Sequence, residues 1–241
     1  MTTYDPIGTL KAVAPDIWVV DGPAVICRRV PLSTRATVIR LSGGGLWVHS
    51  PTGLSASLQA DLAVLGPVQH LVAPSWSHDL FFADWQAAYP AAKSWGIEGG
   101  TQQIDQPLGG EAIWSREIDH LIIEGSGKHR EAAFFHRASR SLIVTDLIQN
   151  IETIRLPPWI RPLVWFSGCD DTDGKMPYGM RIGFSEEPLM KAVERMIAWG
   201  PHALILAHGR WYRHSAVDEL KRAFRRQFHR RRWQSAITGK T

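Results

Sequence analysis

The sequence predicts a layered α/β (α+β) fold built on mixed β-sheet. Three short apolar runs, Leu71-Val72-Ala73, Leu142-Ile143-Val144 and Ala203-Leu204-Ile205-Leu206-Ala207, read as buried strands, because strands covered on both faces lose the apolar/polar alternation. Between residues 46 and 95 the order strand, helix, strand, helix, strand sets a βαβ rhythm, which requires parallel pairing. With 241 residues, 44% of them hydrophobic, the chain is expected to fold as one domain over 1–241.

The opening reads as a meander of four strands: Ile17-Trp18-Val19-Val20, Ala24-Val25-Ile26-Cys27, Ala36-Thr37-Val38-Ile39-Arg40-Leu41 and Leu46-Trp47-Val48-His49. Gly43-Gly44-Gly45 supplies the turn between the last two. Ser50 or Thr52 then caps a helix carrying Leu54, Leu58, Leu62 and Leu65, which Gly66-Pro67 stops. A strand over 68–73, a helix over 80–88 and a short strand over 92–95 follow, and 96–110 is a loop. Strands resume at Leu121-Ile122-Ile123 and at 131–135, with 136–140 as the turn into 141–144. Residues 150–183 show no period and read as an irregular segment over the site. Helix returns over 187–199, where Leu189, Val193, Met196 and Ile197 share a face, and again over about 215–233.

Composition removes several function classes. No apolar span approaches the roughly 20 residues of a membrane helix, and the first residues lack a secretory pattern, so a cytoplasmic protein without membrane contact is expected. Two cysteines, Cys27 and Cys169, rule out a disulfide framework and a cysteine-rich zinc site. The net charge of +4 is concentrated in Lys221, Arg222, Arg225, Arg226, Arg230, Arg231 and Arg232, one face of the last helix. A solvated face is the expected reading, with no nucleic-acid partner. Gly43-Gly44-Gly45 precedes a strand and cannot place phosphate at a helix N-terminus, and no nucleophile elbow or dinucleotide fingerprint occurs.

The chemistry lies where the apolar runs end. His78-Asp79, Asp146 and His208 each follow such a run, and in layered α/β folds ligands collect at strand ends. Imidazole and carboxylate suit zinc, iron or manganese, and about three or four of them make a site. Each has a plainer reading beside it: a backbone-bonded histidine for His208, a turn cap for Asp146, a helix cap for Asp79. His49 ends another strand and is a candidate neighbour of the site, whereas His136 falls in a surface turn. Asp171-Thr172-Asp173-Gly174 fits a turn better than a calcium loop, since the distal Glu is missing. Most of the 11 tryptophans are expected in the core, with Trp76 reserved for the wall of a substrate pocket.

These motifs in this order resemble the metallo-β-lactamase superfamily. The matching features are His49-Ser50-Pro51-Thr52-Gly53, the strand and loop from His70 to Asp79, Thr145-Asp146-Leu147 and Ala207-His208-Gly209. The resemblance spans about residues 17–228. It implies a four-layer αββα sandwich of two mixed sheets with the site on one edge. The family's His-x-His-x-Asp-His loop corresponds to Pro74-Ser75-Trp76-Ser77-His78-Asp79, so both histidines of its first metal site are replaced, by Pro74 and Trp76. The second-site pair is kept in reverse order, as His78 and Asp79. No Gly-His match occurs in 125–130. Asp146 aligns with the family's bridging carboxylate and His208 with its last histidine.

Three readings follow. The chain is a one-metal hydrolase of a small ester, amide, lactone or phosphoester, holding zinc, iron or manganese; or a catalytically silent, metal-free member of the fold that binds a small-molecule ligand; or a nucleic-acid-associated protein acting through its terminal helix.

Overall fold

The computed structural model describes residues 3–27, 29–100, 102–110, 112–127, 129–170 and 174–238. Lys128 and Asp171, Thr172 and Asp173 of the expected turn lie outside these residues. A seven-stranded sheet runs in sequence order: β1 (Leu10–Ala14), β2 (Ile17–Cys27), β3 (Val30–Arg40), β4 (Leu46–His49), β5 (Val68–Ala73), β6 (Lys93–Gly96) and β7 (Gln106–Pro107). The first four pair antiparallel and the last four parallel, with α1 (Ala56–Leu65) and α2 (Phe82–Ala88) as the crossovers of the β4–β5 and β5–β6 pairs.

Four details differ from the sequence reading, the first being that β7 falls in the 96–110 stretch expected as a loop. β1 adds a strand that the half-exposed Leu10-Lys11-Ala12-Val13-Ala14 does not announce. The first two expected strands are one, β2, because Asp21-Gly22-Pro23 carries a register shift instead of a turn. Gly22 permits this, since a β-carbon there would lie 1.7 Å from Thr52 Oγ1. The α1 cap is Ser55, whose Oγ accepts from Leu58 N at 3.1 Å, so Ser50 and Thr52 serve other partners.

The second sheet has the order β11-β10-β9-β8, from β8 (Ile118–Glu124), β9 (Arg130–His136), β10 (Ser141–Val144) and β11 (Ala203–Leu206). β8, β9 and β10 are antiparallel, while β11 joins β10 in parallel after a long excursion. That excursion is less irregular than expected: it contains α3 (Arg161–Ser167) and α4 (Tyr178–Arg181) before α5 (Glu186–Ala198). The expected single basic helix is two, α6 (Ala216–Ala223) and α7 (Arg225–Thr238), broken at Phe224, whose buried ring ends α6.

Three apolar clusters establish the αββα layering. Between the sheets, Ile17, Trp47, Val72 and Trp95 meet Ile118, Phe134, Ile143 and Ile205. On the outer face of the first sheet, Val38, Val48 and Leu71 pack on Leu58 and Leu62 of α1 and Trp85 of α2. On the outer face of the second, Phe135, Leu142 and Leu204 pack on Leu189 and Val193 of α5 and Leu220 of α6. Alternate residues of one strand therefore serve opposite layers, as Trp47 and Val48 do. Trp47, Trp85 and Trp114 are core residues as expected, but Trp159 and Trp165 around α3 are 74% and 63% exposed. Among the described residues, no helix is long and apolar enough to cross a membrane.

Candidate metal centre

Strands β5, β10 and β11 all deliver their C-terminal ends to one edge. The loop after β5 carries His78, the turn after β10 carries Asp146, and the turn after β11 carries His208. The structure brings these three together: one ligand atom from each lies within 4.8 Å of the others. His208 Nε2 is 3.3 Å from Asp146 Oδ1, and His78 Nε2 is 3.6 Å from Asp146 Oδ2. Asp79 lies outside this group; its carbonyl accepts from Phe82 N at 3.0 Å where α2 begins.

The remote nitrogens are held. His208 Nδ1 donates to the Ser33 carbonyl at 2.6 Å, and His78 Nδ1 lies 2.8 Å from Ser50 Oγ. Ser50 adopts φ +50°, a left-handed conformation that a non-glycine residue keeps only when its surroundings enforce it. Asp146 is oriented by Gln149 Nε2, which donates to Oδ1 at 2.7 Å, and by Ser77 Oγ, which donates to Oδ2 at 3.0 Å. His78 and His208 face a cleft walled by Val25, Thr34, Ser50, Ser77, Leu80 and Phe81.

The proton arithmetic calls for a cation here. With its hydrogen on Nδ1, a neutral His208 turns the Nε2 lone pair toward the Asp146 carboxylate, so a proton or a metal ion must stand between them. Burial works against charge on His208, but the Asp146 hydrogen bond and charge, helped by the Ser33 carbonyl, raise its pKa above the ordinary histidine value. Burial likewise opposes ionisation of Asp146, yet the His208 hydrogen bond and the close approach and charge of His78 and His208 hold it well below the usual carboxylate range. Ligand atoms roughly 2.0–2.1 Å from a tetrahedral zinc stand roughly 3.3–3.5 Å apart. His208 Nε2–Oδ1 at 3.3 Å meets that spacing, His78 Nε2–Oδ2 at 3.6 Å lies just beyond it, and all three donors fall within 4.8 Å of one another, so the residues fit one ion once drawn in around it. His78 Nε2 is buried without a hydrogen-bond partner, as a ligating nitrogen would be.

The other candidates are placed differently. His49 is 1% exposed, stacked on Trp47 at 5.7 Å and edge-on to Phe134; burial, then the nearby His78, pushes its pKa down to about 3. His136 is 3% exposed at the end of β9, not in the expected surface turn, with Nδ1 2.8 Å from Ser139 Oγ. Trp76 turns its ring toward the 97–100 loop, donating Nε1 to the Ile97 and Glu98 carbonyls at 3.2 and 3.0 Å. Behind Asp146 lies a group that sequence reasoning missed. Glu131 is 1% exposed, accepts from Thr145 Oγ1, and is held well above the usual carboxylate range by burial and then by the Asp146 charge. Ser33 and Glu131 carry no motif, and Ser50, part of the 49–53 motif, reads there as a cap; only the fold reveals what each holds.

Comparison with known proteins agrees with this architecture. Residues 15–103 match a family described as a domain of unknown function, DUF4336. No curated protein sequence matches the chain. Among solved structures, the DIM-1 metallo-β-lactamase is similar at a TM-score of 0.64 and 10% identity, over 92% of this chain and 97% of that one. The metallo-β-lactamase from Hirschia baltica gives 0.60 and 12%, over 91% and 97%. FIM-1 from Pseudomonas aeruginosa, in its mono-zinc form, gives 0.61 and 7%, over 92% and 95%. Identities this low speak for the fold alone, and on that ground the chain has a metallo-β-lactamase-like fold.

Proposed function

We propose that the protein is a one-metal hydrolase of a small ester, amide or lactone, with His78, Asp146 and His208 as the ligands. The observation that carries this reading is the meeting of three donors at ligand spacing, each oriented from behind by Ser50, Gln149 or Ser33. Replacement of the first-site histidines by Pro74 and Trp76 argues for one ion. The mono-zinc form of FIM-1 shows that a protein of this fold can carry a single zinc. Zinc suits the donor set best, while two histidines and a carboxylate also suit iron, and manganese accepts the carboxylate.

When bound, the ion supplies a Lewis acid and brings the pKa of water toward neutrality. The chain's own residues do the rest. His78 and His208 floor the cleft, and Val25, Leu80 and Phe81 exclude water around an apolar substrate part. Thr34 and Ser77 line the cleft too, their hydroxyl protons held by the Pro23 carbonyl and by Asp146. Arg35 also borders the cleft, but its donors go to Asp21 and to the Leu206 and Gly209 carbonyls, which favours a neutral acyl substrate over a phosphoester.

α6 and Phe224 share the core cluster of the second sheet, which favours one domain over 1–241. Arg230 and Arg231 of α7 pair with Glu186 and Glu194 of α5, which speaks against a nucleic-acid role. The exposed free Cys27 suits a reducing, cytoplasmic setting.

The test is elemental analysis of protein purified without chelator or histidine tag, together with assay of chromogenic esters, amides, lactones and phosphoesters with and without chelator. One ion per chain, released by His208→Ala and by Asp146→Asn, with chelator-sensitive acyl hydrolysis, is the expected result. Two ions would overturn the single-site reading. No ion after zinc, iron or manganese in excess would leave a silent, ligand-binding member of the fold.

A further inference from the structure

Two peptide carbonyls of the turn that holds His208, those of Leu206 and Gly209, end on one guanidinium. Arg35 Nη1 donates to Leu206 O at 2.6 Å and to Gly209 O at 2.8 Å, reaching from β3 across to the turn after β11. The opposite edge of the same guanidinium is held by Asp21 on β2: Nε donates to Oδ1 at 2.8 Å, and Nη2 stands 2.6 Å from that oxygen. Lys11 on β1 then reaches Asp21 Oδ2 at 2.8 Å, and the Tyr4 ring covers the guanidinium with its centroid 5.1 Å away. Arg35 and Asp21 are each 2% exposed. Beside Arg35, Ser33 takes both the His208 Nδ1–H, on its carbonyl, and the Gly209 N–H, on its hydroxyl at 2.9 Å.

A buried ion pair is a poor stabiliser, because desolvation of the two charges can exceed their attraction. Its geometry here has a more specific use. A planar fork with fixed donor directions can bind a carboxylate on one edge and two carbonyls on the other, which a lysine cannot reproduce. The carbonyls it binds belong to the residues two before and one after His208, so the fork determines where the His208 backbone sits, and Ser33 determines how its ring turns.

We propose that the Asp21–Arg35 pair is the positioning element of the metal centre, setting His208 against Asp146 through the backbone of the 206–209 turn without touching the ion. This rests on the reading of His78, Asp146 and His208 as ligands, and extends it to residues on β1, β2 and β3 that stand outside the ligand cluster. Outer groups that orient ligands typically change metal affinity 10- to 100-fold when altered.

The experiment compares wild type with Arg35→Lys, Asp21→Asn and a control, Arg40→Lys, whose pair with Asp16 lies on the exposed end of the same strand. Cobalt(II) and zinc affinities are measured by chelator competition, the cobalt spectrum is recorded, and circular dichroism verifies folding. Arg35→Lys and Asp21→Asn should bind about 10- to 100-fold more weakly, with an altered cobalt spectrum, and Arg40→Lys should match wild type. A folded Arg35→Lys protein with wild-type affinity and spectrum would overturn the proposal. If wild type itself binds neither metal, the ligand reading fails separately, and NMR of the metal-free protein decides the positioning role. The His208 Nδ1–H should then be slow to exchange in wild type and fast in Arg35→Lys; equal protection in both overturns it. Should Arg35→Lys not fold, Lys11→Met, which loosens Asp21 from outside, takes its place in the same measurements, and wild-type affinity, spectrum and Nδ1–H protection in that variant overturn the proposal equally.

Discussion

Gly209 is pressed against the carbonyl of Asn150: a β-carbon added at Gly209 would lie 1.9 Å from that oxygen. The residue also has φ +80°, where side chains are strained. Because it follows His208 directly, glycine here lets the turn after β11 pass under the 150–151 backbone and still present the imidazole to the cleft. Gly209→Ala should therefore cost about 1–3 kcal/mol, the usual cost of a forced backbone conformation, or more where the contact cannot relax. Urea unfolding measures that loss. Metal affinity of the surviving folded protein should fall with it, and an unchanged affinity would mean that the turn is not what positions His208.

The core histidine on β5 makes stability depend on pH. His70 Nδ1 accepts the indole N–H of Trp95 at 3.1 Å, so it must stay neutral, and burial, then the charge of Lys93, pushes its pKa down to about 4. The unfolded chain, with an ordinary value near 6.5, takes up the proton first. Stability is accordingly whole above about pH 6.5, drains as pH falls, and stops draining below about 4. His70→Gln should flatten the fall in melting temperature across that window. It will not abolish it, since His49, His120 and His136 have depressed values too, all chiefly from burial.

The parts of this fold written most plainly in the sequence are strands buried on both faces, whose alternate residues fill two layers and leave an unbroken apolar run. β4, β5, β10 and β11 stand within a residue or so of their apolar runs. β1 is hidden because Leu10-Lys11-Ala12-Val13-Ala14 is short and half-exposed, with two alanines that bury little, and the middle of β2 because Asp-Gly-Pro spells a turn unless a partner strand overrides it. α3 is hidden behind Pro157, Pro158 and Pro162, in a helix too short to show a period. The site divides in the same way. His78, Asp146 and His208 stand at strand ends where the run itself points to them. Ser33 and Arg35 sit inside a strand and act on residues more than 170 positions away, a relation that no local pattern records.

The arginines of α7 are expected to leave nucleic acid alone. Arg230 donates to Glu186 at 2.7 Å and Arg231 to Glu194 at 2.6 Å, so two of its cations are committed to α5. Filter binding or anisotropy with RNA and DNA at physiological salt should show only weak, non-specific retention, of the order of 10⁻⁴–10⁻⁶ M. Submicromolar, salt-sensitive binding that is lost when Arg225, Arg226, Arg230 and Arg231 become Glu would reverse this expectation.

The sequence resemblance sets Trp76 against a first-site histidine of the metallo-β-lactamase pattern, and its ring serves the neighbouring loop. Its indole N–H spans the Ile97 and Glu98 carbonyls, and the ring rests so near Gly99 and Gly100 that added β-carbons would approach it to 2.9 and 3.1 Å. A side chain used to hold a loop should matter for that loop and not for the ion. Trp76→Ala is thus expected to speed amide hydrogen exchange over residues 97–104 and to lower stability by roughly 1–3 kcal/mol, less than a fully buried tryptophan because the ring is part-exposed. Its metal content should equal that of wild type. If the variant exchanges normally but loses its ion, Trp76 belongs to the metal centre after all, and the two halves of the 74–79 loop do not divide between loop support and metal binding.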